Sequence, residues 1–178
     1  MQTEQAEQMS DTAMTISRSE AEDILYREAR LLDTMQLREW LGLYTSDGLY
    51  WIPIDETQPA KRTASLVYDD TPSREERVHH LEQLPFPAQN PRSRTVHLVS
   101  NIEVLGLDED GSTRVASSQV IYETRTGDYT QIGLGEISSI VASVEYRLVR
   151  LQGQIKIKLK KILLINREMP QGNLTFMV

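Results

Sequence analysis

The amino-acid sequence predicts an α+β domain in which N-terminal helices pack on one face of a curved, mainly antiparallel sheet. Three observations carry that prediction. Apolar residues recur every three to four positions up to about residue 44, the period falls to two after Asp47-Gly48, and from Arg94 onward long alternating stretches succeed one another with turn signals between them. Helices first and a meander after put the helices on one side, and a strongly bent sheet covered in this way is a cone. A cone can enclose a pocket or a filled core, and fold alone does not choose between them.

Residues 1–16 are polar and aperiodic, which predicts a flexible arm ahead of a single domain over residues 17–178. Ser19 followed by Glu22 fits a capping box, and behind it Ala21, Ile24, Leu25, Ala29, Leu31 and Leu32 form one stripe of an amphipathic helix. A second helical stretch puts Leu37, Trp40, Leu41 and Tyr44 on one face, with Asp47-Gly48 expected to end it in a turn. Leu49, Trp51 and Pro53 then alternate with Tyr50, Ile52 and Ile54 as a strand, Pro53 marking an edge or an end. A short strand is expected around Ser65 to Tyr68. Thr71-Pro72 opens a third helix to about Leu84, with threonine as cap and proline in the first turn, where its missing amide does no harm. Three prolines between Leu84 and Pro91 delete amide donors and make a stiff connector.

The meander follows. Arg94 to Leu105 carries Val96, Leu98, Ile102 and Val104 in alternation, Asp108 to Gly111 reverses the chain, and Thr113 to Thr124 is the next strand. Thr126-Gly127-Asp128 turns again into a strand from Tyr129 to Val144. In the last strand Ile155, Ile157 and Leu159 alternate with Lys156, Lys158 and Lys160, which predicts one apolar face and one solvated lysine face that discourages unwanted pairing.

Composition excludes several functions. The chain has no cysteine, so disulfides, thiolate zinc sites, thiol nucleophiles and cysteine-held iron-sulfur clusters fall away together. The formal charge is -7, and the first 90 residues hold 8 basic against 17 acidic side chains, a balance that repels a nucleic acid backbone. No apolar run reaches the roughly 18 residues of a membrane span, and MQTEQAEQMSD lacks the basic flank and apolar stretch of a secretory signal. A cytoplasmic protein with neither nucleic acid nor membrane as partner is expected.

The search for chemistry yields no catalytic, cofactor-binding or metal-binding set. His79 and His80 are neighbours on a helix, about 100° apart around its axis, and do not converge. His97 shares a strand face by alternation with Thr95, Val99, Asn101 and Glu103; it is a general base in a pocket or a hydrogen-bonded histidine at a subunit contact. The carboxylate pairs Asp69-Asp70 and Glu75-Glu76 and the run Asp108 to Asp110 have cap, first-turn and hairpin roles. Gly133-Leu134-Gly135 falls within a strand pattern and marks a bulge or a close backbone approach rather than a phosphate cradle, and no GxSxG, Walker or GxGxxG motif is present.

Four stretches in order carry a family resemblance: EARLLDTMQLREWLGLYTSDGLYWIPI at 28–54, YDDTPSREERVHHL at 68–81, NPRSRTVHLVSNIEV at 90–104 and the closing KILLINREMPQGNLTFMV. Residues 19–178 thereby resemble the β (small) subunits of Rieske-type aromatic-ring-hydroxylating dioxygenases. The resemblance implies a cystatin-like cone, of the type of nuclear transport factor 2 and the ketosteroid isomerases, usually filled and without active-site residues. It implies a structural role in an α3β3 hexamer on a trimeric base of β chains. There the catalytic α subunit holds a Rieske [2Fe-2S] cluster and mononuclear iron and hydroxylates an aromatic compound with O2. Electrons reach it from NAD(P)H through a reductase or ferredoxin.

Arg92, Arg94, His97 and Asn101, beside the proline connector, suit a fixed polar contact with another subunit. Leu174, Phe176 and Val178 alternate to the last residue and predict a buried final strand near a subunit contact. A second reading is a free-standing isomerase, dehydratase or cyclase on the same cone, with His97 or Asp69 as base. A cone packed with Trp40, Trp51 and aliphatic side chains would favour the scaffold; a deep wet pocket with either base at its floor would favour the enzyme.

Overall fold

In a computed structural model the described residues are 15–57, 59–83, 91–125, 134–169 and 176–178. Helix α1 spans Arg18–Asp33, and its cap is Ser17 rather than Ser19. The Ser17 hydroxyl accepts from the Glu20 amide, and the Glu20 carboxylate accepts from the Ser17 amide. Two SxxE frames overlap here, and the apolar flanks decide between them. The Ser17 frame puts buried Ile16 before the cap and buried Ala21 at the fourth helical position, whereas the Ser19 frame would put Arg18 and Asp23 there. Ile16, which the sequence assigned to the polar arm, is therefore part of the core, its amide donating to Thr113 Oγ1.

Helix α2 is one short turn, Leu37–Leu41, and strand β1, Tyr44–Pro53, follows almost at once. The expected turn at Asp47-Gly48 is instead an irregularity inside β1, where its register against the last strand slips between Tyr44 and Leu49. Backbone crowding explains the glycine: a Cβ at Gly48 would lie 3.0 Å from the Ile157 and Thr45 carbonyl oxygens. Strand β2 is Ser65–Asp69, and helix α3 is Thr71–Gln83. Asp70, not Thr71, caps it, accepting from the Ser73 amide at 3.1 Å, while the Thr71 hydroxyl donates to Ser46 O and ties the helix to β1. The proline connector lies outside the described residues apart from Pro91, as does the turn at 126–128.

Strand β3, Arg94–Leu107, runs past the expected Leu105 and keeps the expected alternation only as far as Ser100, whereas β4, Thr113–Thr124, has the expected bounds. Strand β5 is Ile137–Leu151, later than the expected Tyr129 to Val144, because Val144, Tyr146 and Leu148 continue the buried alternation past charged neighbours. Gly135 sits in a turn at φ +73°, outside any strand. Strand β6, Gln154–Leu164, closes the sheet, whose order is β2-β1-β6-β5-β4-β3. All neighbours are antiparallel except β1 and β6. The helices cover its concave face over one continuous core that contains Leu25, Leu32, Trp40, Tyr50, Val144 and Ile162.

Candidate functional site

The interior of the cone is polar at its centre. Register alone brings together one transverse row on the inner face: Asp69, Tyr50, Lys160, Tyr146 and Val115, on β2, β1, β6, β5 and β4 in turn. All five are buried, and Lys160 is 0% exposed. The expected solvated lysine face is thus corrected at this residue. Between Leu148↔Ile157 and Arg147↔Leu159 the β5–β6 register gains one residue, a bulge at Lys158. Past a bulge the side-chain alternation changes face, so Ile157 points inward, Leu159 does not, and Lys160, Ile162 and Leu164 do.

Glu28 of α1 answers the buried cation. Its Oε2 accepts from Tyr146 OH at 2.8 Å and lies 3.2 Å from Lys160 Nζ, while its Oε1 accepts from Trp40 Nε1 at 3.1 Å and Tyr44 OH at 3.2 Å. Four donors saturate one carboxylate. Burial pulls the Lys160 ammonium below its usual range, opposed by Glu28. Burial and the Glu28 charge push Tyr44 and Tyr146 well above the usual phenol range, so both stay protonated donors. Trp40 meets Tyr44 and Tyr50 edge-on at 5.1 and 5.8 Å, and the buried Arg74 guanidinium lies 4.2 Å over the Tyr44 ring. Trp51, expected in the same core, faces the other side: its Nε1 donates to Ser65 Oγ and Lys161 lies over its ring.

The C-terminal residues complete the filling. Tyr50 OH donates to Val178 O at 2.9 Å and accepts from the Val178 amide at 3.0 Å; Lys160 Nζ donates to Val178 O at 3.0 Å. His97 Nε2 faces Met177 O at 3.3 Å, and its Nδ1 faces Asp33 Oδ1 at 2.6 Å. Asp33 also accepts from the His97 amide and the Thr95 hydroxyl; burial raises its carboxyl, but these hydrogen bonds outweigh burial and hold it below its usual range.

These pairings decide what the candidate bases can do. A general base needs a free acceptor within reach of a substrate proton. Both ring nitrogens of His97 are engaged, and both oxygens of Asp69 are held by Arg77 Nε and Nη2, the latter at 3.0 Å. The enzyme reading on His97 therefore lacks a free acceptor, and in the reading on Asp69 the carboxylate is tied to the Arg77 guanidinium. Among the described residues no three His, Cys, Asp or Glu side chains lie together as a metal-binding group. No helix among them is long and apolar enough to cross a membrane.

The remaining sequence candidates separate. The expected alternation past His97 fails at Asn101, which takes φ +53° where the β3–β4 register slips. Asn101 is exposed and donates to Ser118 Oγ, and Ile102 turns inward in its place. Arg92 is exposed with Nη2 on Glu82 O, Arg94 is exposed, Phe176 is half-buried against the core, and Leu174 lies outside the described residues. Arg94 pairs with Thr124, which pairs with Ile137, on the outer face of the sheet. Beside that row lie Val96 and its partner Tyr122, then Leu98, with exposures of 53%, 44% and 51%, and Ile137 reaches 74%. Adjoining exposed apolar side chains are a surface that another protein can cover.

Sequence reasoning missed Glu28, Tyr50, Tyr146 and Lys160. Glu28 carried a legible signal, a carboxylate four residues after Ile24 inside the apolar stripe; Lys160 carried none, because the bulge conceals it.

The family described as ring hydroxylating beta subunit matches residues 27–171. The small oxygenase component of a p-cumate 2,3-dioxygenase system from Pseudomonas putida is 41% identical over 157 residues, 86% of this chain and 82% of that protein. The β subunit of a benzoate 1,2-dioxygenase from Burkholderia mallei has a TM-score of 0.69 at 24% identity, covering 92% of this chain and 99% of that one. A naphthalene 1,2-dioxygenase chain reaches 0.76 at 19% identity, covering 97% and 93%. At these identities the two structures speak for the cone-shaped α+β fold.

Proposed function

We propose, because the chain belongs to the ring hydroxylating beta subunit family, that it gives shape and contact area to an aromatic-ring-hydroxylating oxygenase whose oxygen chemistry lies in a larger partner. One observation carries the reading: the cone is closed by its own side chains and by residues 176–178, while apolar side chains stand exposed on the outer face of β3 to β5. A scaffold subunit needs a firm interior and a surface to be covered. A free enzyme needs an open pocket with an unengaged acid or base.

In this reading the partner is a catalytic α subunit with the Rieske [2Fe-2S] cluster and mononuclear iron, in an α3β3 hexamer on a β trimer. It works in the cytoplasm with electrons from a reductase or ferredoxin. Val96, Leu98, Tyr122 and Ile137, with Arg94 at their margin, form one of its subunit contacts; Arg92 and Asn101 flank it. The p-cumate and benzoate oxygenases among the relatives make a substituted benzoate the first substrate class to try. The test is co-expression of this chain with its genomic neighbours. An iron-containing chain recovered in equal amount supports the reading; turnover of a small molecule by this chain alone overturns it.

A further inference from the structure

Residues 176–178 are held as a ligand is held. They belong to no helix or strand, and the polar contacts described for Met177 and Val178 are all to side chains. Those side chains come from three strands: Tyr50 on β1, Lys160 on β6 and His97 on β3. In a flat sheet β6 and β3 would stand about 14 Å apart, three spacings of roughly 4.8 Å. They grip neighbouring residues here because the sheet curls and the segment lies at the focus of the curl.

The receiving groups also have an arrangement of their own. Lys160 and Tyr50 are fully buried, and Glu28 satisfies only part of the ammonium. Without Val178, Lys160 would lose one acceptor and the Tyr50 hydroxyl both of its described partners, and the space of two aliphatic side chains would open beside them. A cation, a phenol and an imidazole converging on an apolar hollow are the elements of a binding site.

We propose that residues 176–178 are an internal ligand in a peptide-binding site of the cone, and that the same site takes a short apolar peptide in trans when the segment is removed. The chemistry recognised is a main-chain N–H and oxygen pair read by Tyr50, with a second N–H donor to that oxygen from Lys160 and apolar side chains on either hand. This inference concerns the interior alone and stands whether or not the outer face binds a partner.

The experiment compares the full chain with a variant ending at Thr175, in the presence of N-acetyl-Phe-Met-Val. Deletion should lower Tm by roughly 5–10 °C for a domain of this size. The peptide should restore at least half of that loss, saturably, and Tyr50→Phe in the shortened chain should weaken its binding about tenfold, the worth of one good hydrogen bond. An unchanged Tm on deletion, or a folded shortened chain that ignores the peptide, overturns the proposal. If the shortened chain does not fold, amide exchange on full-length Tyr50→Phe decides: Val178 should exchange more than tenfold faster while the β4 and β5 amides keep their protection. Val178 protection equal to that of the parent chain overturns it.

Discussion

The inner and outer faces of the sheet each depart at one place from the usual allocation of residues. The concave side, cut off from water, carries a carboxylate, an ammonium and three phenols at its centre, whereas the convex side of β3 to β5 shows Val96, Leu98, Tyr122 and Ile137 to solvent. Inside, hydrogen bonds fix one arrangement, since each donor of the Glu28 cluster has an acceptor at a defined distance. Outside, side chains without local partners cost little in isolation and become useful when another surface covers them. The contrast teaches where each mutation should be felt: interior changes in the folding of the chain, exterior changes in its company.

The largest effect should come from Lys160→Met, which strands Glu28 in the interior. Breaking a buried pair from one side costs about 3–5 kcal/mol, and urea unfolding should show it. The double variant Lys160→Met with Glu28→Gln should recover part of the loss; no recovery would mean that the two side chains act separately. Next, Tyr146→Phe removes one donor from a charged acceptor and should cost about 1.5–3 kcal/mol by the same measurement. Leu98→Asp should leave the unfolding midpoint of the isolated chain within about 0.5 kcal/mol, as surface changes do. It should weaken association with the large subunit at least tenfold, about 1.4 kcal/mol, in sedimentation or titration. Equal damage to folding and to association would erase the distinction between the two faces.

The smallest effect is a matter of pH at the rim. Hydrogen bonds from Arg150, then from Ser17, hold the Glu20 carboxyl down from 4.5 to about 2. A carboxyl depressed on folding stabilises the chain above its unfolded value, and the contribution is lost as pH falls from 4.5 through 2. Glu20 is partly exposed, so Arg150→Met should flatten acid unfolding by less than about 1 kcal/mol.

How much of this was legible follows from what each feature depends on. Helix α1, β4 and the order of elements could be read because local periodicity specifies them, and the family resemblance could be read from four ordered stretches. The cap of α1 went to Ser17 because two equivalent frames overlap and only burial of Ile16 separates them. Lys160 was out of reach for a stronger reason: alternation assigns a face only while the register is unbroken, and one bulge at Lys158 reverses every assignment after it. The Asn101 irregularity undid the expected face of β3 in the same way. His97 could be located on its strand, but that Asp33 and Met177 occupy its two nitrogens depends on residues 64 and 80 positions away.

The parallel pairing of β1 with β6 sets an order of events during synthesis. Tyr44–Pro53 leaves the ribosome well before Gln154–Leu164, its neighbour on one side. The nascent chain must therefore wait with Trp40 and the apolar stripe of α1 incompletely sealed until β6 has emerged, and such long-range closure makes folding slow and prone to capture by chaperones.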